Sequence, residues 1–292
     1  MYTAHYGLRE KPFSLTPDPR YLFLSSSHRE ALAHVLYGVE QGEGFIAVTG
    51  EVGTGKTTLC RTLLERLGPE TEVAFVFDPL LTPDELLRAV CAEFGLQIAQ
   101  RSPAELSDSL NRFLLDANRK GRRVVLVVDE AQNLPVATLE QIRLLSNLET
   151  STTKLIQILL FGQPELDDML ESAELRQLRQ RITVRYRLHA LGRGEAREYV
   201  RHRVRVAAGT DREIFTASAL REIERRGRGI PRLVNLLADR ALLAGYAEGA
   251  PCVDRPQVDR AAREILRARG ARRSSWWRPA AAVGALGREE RS

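Results

Sequence analysis

Residues 45–67, FIAVTGEVGTGKTTLCRTLLERL, constrain the fold more than any other stretch of the chain. A short apolar run ends in a glycine-rich turn, and the turn passes directly into apolar positions at helical spacing. Within it, residues 50–57 satisfy G-x-x-x-x-G-K-[ST]. Glycines at those places let successive backbone N–H groups face phosphate oxygens where a side chain would obstruct the approach. The helix that follows adds the positive end of its dipole. The pattern predicts a phosphate loop in which Lys56 reaches the β- and γ-phosphates and the Thr57 hydroxyl ligates Mg²⁺. Gly50, Glu51, Val52, Gly53, Thr54, Gly55 and Thr58 complete the expected cradle for ATP.

Such a loop requires a parallel sheet around it, and the sequence supplies one. Residues 73–77, 124–128, 155–161 and 183–188 read as further strands, separated by helices at 28–41, 135–149 and 164–180. Two more helices are expected after Thr82 and Ser102, each a cap followed by proline in the first turn. Buried apolar strands alternating with helices indicate an α/β fold whose parallel sheet is covered on both faces. After Leu191 the pattern becomes all-helical, with helices expected at 195–207, 216–226, 231–245 and 255–268. The expected division is therefore a lead-in over 1–27 held by Phe13, Tyr21 and Phe23, a nucleotide-binding core over 28–191, a smaller helical lid over 192–268 and a tail over 269–292.

The partner of the phosphate loop is VVLVVDE at 124–130. An apolar strand carries Asp129 at its C-terminal end, where parallel sheets place their ligand sites. Asp129 is expected to hold Mg²⁺ through water, and Glu130 to act as general base on the attacking water. Gln163 follows the next apolar strand, a position for a polar side chain that senses the γ-phosphate. Arg176, Arg179 and Arg181 flank the end of the following helix. Arg181, nearest the fifth strand, is the one expected to act in trans on a neighbour's ATP. Arg232 lies in GIPRLVN, where Pro231 suits a first helical turn and would point the guanidinium back toward the phosphates.

Charge narrows the partners. The chain carries a net charge of +5, but residues 255–292 hold ten Arg against four acidic residues, so residues 1–254 sum to −1. A nucleic-acid-binding body would carry its basic surplus on the folded domain, so nucleic acid is not an expected partner. Cys60, Cys91 and Cys252 are widely spaced, without disulfide or metal-ligand spacing. They read as small buried apolar residues in a reducing compartment.

Phosphate loop, acidic pair at a strand end, polar residue after the next strand and Arg in a helical lid together resemble an AAA+ ATPase. The stretches MYTAHYGLREKPFSLTPDPRYLFLSSSHREALAHVLYGVEQGEGF, VVDEAQNL, LSNLET, FGQPEL, LRQLRQRITVRY and GIPRLVN resemble the general secretion pathway protein A family more closely. That resemblance implies a cytoplasmic, Mg-dependent ATPase at the inner membrane that assembles as a homo-oligomer. It implies a role in assembly of an envelope machine, foremost the secretin of type II secretion, with pilus or exopolysaccharide export as alternatives. A transposition or DNA-handling ATPase is the alternative of a different class. By analogy with initiator-type relatives, His28 and Arg29 border the adenine. The family's membrane span and peptidoglycan-binding part have no counterpart in the tail. Its basic run, two Trp and apolar residues 279–287 fall short of the ~20 residues a spanning helix needs. The tail is expected to be disordered or to make peripheral contact with the inner membrane, and the chain to be a truncation.

Overall fold

The computed structural model describes residues 1–275 except 16–17, 78–79 and 150–152, without the side chains of 19 and 267–275. The expected tail therefore lies largely outside the described residues.

Five strands form one parallel sheet: β1 (Phe45–Gly50), β2 (Thr71–Val76), β3 (Arg123–Val128), β4 (Gln157–Gly162) and β5 (Val184–Leu188), in the order β2-β3-β4-β1-β5. Alternate residues of the three central strands serve opposite faces, as the two-residue period of a strand requires. Phe45, Ala47, Leu126, Val128, Ile158 and Leu160 join one core with α4 (Pro83–Glu93), α5 (Pro103–Arg119) and α6 (Val136–Leu145). Ile46, Val48, Val125, Val127, Leu159 and Phe161 join the other with α2 (Ser26–Glu40) and α3 (Lys56–Arg66). The three central strands are buried on both faces, which is why they are almost wholly apolar, whereas the edge strand β5, VRYRL, exposes Arg185 and Arg187. Gln157 is the instructive exception. Its buried amide donates to the carbonyls of Val39 and Glu43 at 3.2 and 3.0 Å, pinning the turn between α2 and β1 to β4.

Both expected caps are present. Thr82 and Ser102 each form a reciprocal capping box, with Glu85 and Glu105, and a proline sits in the first turn. The single helix expected over 164–180 is instead two, α7 (Pro164–Leu170) and α8 (Arg176–Arg181). Leu170, Leu175 and Leu178 are all fully buried in the same core. On one continuous helix, Leu170 and Leu175 would point about 140° apart; the break lets both face inward. The expected helix over 135–149 ends at Leu145, and the strand after it starts at Gln157 rather than 155.

Beyond the sheet, α9 (Glu195–Ala208), α10 (Ala217–Gly227), α11 (Pro231–Ala247) and α12 (Arg255–Ser275) build a helical lid with its own core. The lead-in packs into that lid, not into the sheet. A short helix α1 (Tyr2–His5), together with Leu8, Phe13 and Tyr21, shares a core with Tyr199, Val200, Leu220 and Leu242. The Tyr2 hydroxyl donates to Asp239 at 2.5 Å, and Arg9 N–H to the Ala207 carbonyl at 2.9 Å. The N-terminal strap thus begins on the lid, crosses to the sheet at Ser25 and gives lid and core a second covalent connection.

Candidate active site

The order of the strands explains the site. The strands are parallel and β4 lies between β1 and β3, so the loop after β1, the acidic pair after β3 and Gln163 after β4 emerge side by side at the C-terminal end of the sheet. β1 and β3 stand two strand spacings apart, about 9–10 Å.

The sequence expected Thr57 and Asp129 at one cation, and they meet: Thr57 Oγ1 donates to Asp129 Oδ2 at 3.0 Å. Asp129 is only 1% exposed. Burial pushes its carboxyl up, against hydrogen bonds from the Glu130 N–H and Thr57 that favour the charged form. Lys56 is buried in the first turn of α3, and its Nζ donates to the carbonyls of Gly50 and Glu51 at 2.7 and 3.1 Å. Burial lowers its pKa, and the charges of Glu130 and Asp129 partly offset that.

Glu130 adopts left-handed backbone, φ +53°, rare for a residue with a side chain. Strain of this kind is tolerated where surrounding contacts fix it. Here Glu130 Oε2 accepts from Gln163 Nε2 at 2.9 Å and from Gln132 Nε2 at 2.7 Å. Gln132 Oε1 in turn accepts from the Gln163 N–H at 2.9 Å. Burial raises the Glu130 carboxyl, but the two amides and the Lys56 charge outweigh it and hold it below the usual range. Gln132 was not among the sequence candidates, although it stands in the same VVDEAQ stretch, two residues beyond the acid.

The lid reaches the loop directly. Arg232 N–H donates to the Gly53 carbonyl at 3.3 Å. Gly53 has φ +82°, and a Cβ there would stand 2.6 Å from Arg232 Cβ, so only glycine admits this approach. Between loop, lid and strap lies a cleft of about 340 Å³ bordered by Val52, Gly53, Thr54, Gly55, Lys56, Thr57, Thr58, Glu130, Gln163 and Arg232. That volume falls in the range of small-molecule sites.

The remaining candidates fall in different places. His28 borders the cleft, buried between the α2 N-terminus and the loop. Its Nδ1 lies 2.6 Å from Ser25 Oγ, and burial lowers its pKa against a hydrogen bond with the Thr54 backbone. Arg29 is brought elsewhere: it is exposed, donates to the Leu24 carbonyl at 2.6 Å and is not among the cleft residues. Successive side chains on a helix point about 100° apart, which is why Arg29 turns away from the cleft that His28 borders. Arg181 lies outside its own chain's cleft and donates to Ser146 Oγ at 2.8 Å. Arg179 pairs with Glu171. Glu51 offers its carbonyl to Lys56 while its side chain is exposed.

The AAA domain family matches residues 39–170. General secretion pathway protein A of Aeromonas hydrophila is 49% identical over 266 residues, which are 91% of this chain and 48% of that protein. This chain belongs to the general secretion pathway protein A family. It spans about half the length of that relative. Solved structures carry the same fold at low identity. The Aeropyrum pernix ORC1 protein in complex with DNA is 20% identical, with a TM-score of 0.65 over 90% of this chain and 71% of that one. Cdc6p from Pyrobaculum aerophilum is 17% identical, with a TM-score of 0.65 over 87% and 70%. The Thermotoga maritima RuvB branch migration motor is 18% identical, with a TM-score of 0.52 over 82% and 68%. The family member described here is thus an α/β AAA+ protein with a helical lid. Among its described residues no helix is long and apolar enough to cross a membrane.

Proposed function

We propose that this chain is a Mg-dependent ATPase whose cycle drives assembly of a bacterial envelope machine, the secretin of type II secretion being the leading candidate. The observation that carries the ATPase reading is the hydrogen bond between Thr57 and Asp129, with Glu130 beside them at the mouth of the cleft. A hydroxyl and a carboxylate side by side are the hard oxygen donors that Mg²⁺ takes. That ion needs only one or two protein ligands beside substrate phosphates. Bound there, Mg²⁺ would supply positive charge to the phosphate oxygens.

The chain's own groups divide the remaining work. Backbone N–H groups of residues 50–58 and Lys56 hold the phosphates of ATP, and Arg232 closes on them from the lid. Glu130 takes the proton of the attacking water. Gln163 and Gln132 hold its carboxylate, and Gln163 reads the γ-phosphate. His28 backs the loop.

Arg181 acts in trans within a homo-oligomer, with Arg176 and Arg179 as the other candidates on the same helix. Mixing chains tests this. Glu130→Gln and Arg181→Ala proteins, each inactive alone, should regain part of the turnover when combined, because some sites then have both groups intact. No recovery in the mixture removes Arg181 from the site. The pathway is tested in the host, where Glu130→Gln should leave secretin unassembled. Normal secretin multimers with that variant as sole copy would exclude this role.

A further inference from the structure

The nucleotide reading leaves buried polar side chains of the cleft without a role, Asn235, Tyr199 and Arg203 among them. Asn235 lies on α11 one turn beyond Arg232, on the same face, about 4.5 Å farther along the helix axis. It is 6% exposed and borders the cleft. Its orientation follows from what stands behind it. Arg203 NH1 donates to the Tyr199 hydroxyl at 2.9 Å, and the Tyr199 hydroxyl donates to Asn235 Oδ1 at 2.9 Å. A guanidinium has only donors. The phenol oxygen therefore accepts from Arg203, its hydrogen is directed to Asn235, and the asparagine must meet it with its oxygen. The amide nitrogen is the polar group Asn235 has left to offer.

Arg203 is itself fixed. Its Nε donates to the Pro12 carbonyl at 2.5 Å and its NH2 to the Ser14 carbonyl at 3.3 Å, while the guanidinium lies over the Tyr21 ring at 4.6 Å. The strap thus sets Arg203, Arg203 sets Tyr199, and Tyr199 sets Asn235.

We propose that Asn235 is a nucleoside-binding residue. Its amide N–H donates to an acceptor on the sugar–base half of the nucleotide, a ribose oxygen or a ring nitrogen. Tyr199 and Arg203 are its positioning residues. This rests on the nucleotide reading of the cleft. It follows from the geometry that Arg232, at the end of α11 docked on the phosphate loop, meets the phosphates, and that the next turn meets what lies beyond them. Once a nucleotide covers this face of the cleft, an Asn235 N–H that it fails to engage is left unpaired, so the contact discriminates between ligands.

The test uses the full chain and two probes, ATP and inorganic tripolyphosphate, measured by calorimetric titration. Asn235→Leu should weaken ATP about tenfold, the loss of one hydrogen bond, and leave tripolyphosphate unchanged. Unchanged tripolyphosphate binding also reports that the variant is folded. Tyr199→Phe should weaken ATP less, and the double variant no more than Asn235→Leu alone, since both act through one contact. Equal weakening of both probes, additive losses in the double variant, or undiminished ATP binding by Asn235→Leu would each overturn the proposal. If the unaltered chain binds neither probe, the nucleotide reading itself falls, and this proposal with it.

Discussion

At the scale of single residues, charge placement separates groups that serve the site from groups that hold the lid together. Glu222, on α10, is the clearest of the second kind. Its carboxylate is 6% exposed and accepts from Arg225 and Arg226, each at 2.5 Å, and Arg226 also reaches Asp259 on α12 at 2.5 Å. The hydrogen bond from Arg225 above all, with that from Arg226, outweighs burial and brings the Glu222 pKa down to about 2. The unfolded chain therefore binds the proton at higher pH than the folded one. Glu222 contributes its full stability above the ordinary carboxylate pKa of about 4.5, and that contribution is lost as pH falls toward about 2. Urea titrations of Glu222→Gln should show a loss of about 1.5–3 kcal/mol at neutral pH. The loss should shrink between about pH 4.5 and pH 2. A pH-independent difference would contradict the assignment. Much of the site was legible at this scale: Lys56, Thr57, Asp129 and Glu130 belong to local patterns whose chemistry depends on residue type and spacing. Gln132 and Asn235 were not, although both stand inside stretches that drew attention. Their roles depend on which atom of a symmetric-looking amide is engaged, and partners 31 and 36 residues away decide that.

At the scale of elements, the junction between sheet and lid is the most demanding piece of backbone. Leu191 N–H donates to the Gly229 carbonyl at 2.8 Å, tying the linker after β5 to the turn before α11. Gly229 has φ +71°, and a Cβ there would stand 2.3 Å from the Leu191 carbonyl oxygen. Glu195, in the first turn of α9, reinforces the junction by accepting from the Ser26 and Gly192 N–H groups, both at 2.7 Å. Gly229→Ala should cost about 1–2 kcal/mol for the left-handed backbone alone, with a clash against main chain added. It should also weaken ATP binding, because α11 carries Arg232 to the loop. Denaturant unfolding and titration of the same protein would check both. Wild-type stability would mean that the junction yields more easily than its geometry implies. Capping boxes and buried strands were readable in the sequence because a few adjacent residues encode them. The break between α7 and α8 was not, since helical spacing over 164–180 conceals that Leu170 and Leu175 must enter one core.

At the scale of the whole molecule, the strap alters how the two halves communicate. Tyr2, Tyr6, Leu8, Phe13 and Tyr21 are buried against the lid, and the apolar Leu8 and Phe13 side chains contribute about 1.5–3 kcal/mol each. Aromatic residues in the lead-in were visible in the sequence, but not which half they cover. That choice is made by lid surfaces more than 180 residues away, such as the Arg203 contacts with Pro12 and Ser14. Removal of residues 1–24 should therefore unfold the lid before the sheet. Two thermal transitions should appear, by circular dichroism and by tyrosine fluorescence, where the full chain gives one. A single unshifted transition would show that the strap is dispensable.

All of these elements converge on the claim that the loop after β1 and the acidic pair after β3 form one hydrolytic site. Phosphate release from Mg-ATP by the full chain, compared with Glu130→Gln, tests it most directly. Turnover should fall by about 10²–10⁴-fold, the usual contribution of a positioned base. ATP affinity should be retained, because Lys56 and the loop are untouched. Equal turnover by the two proteins would contradict the account.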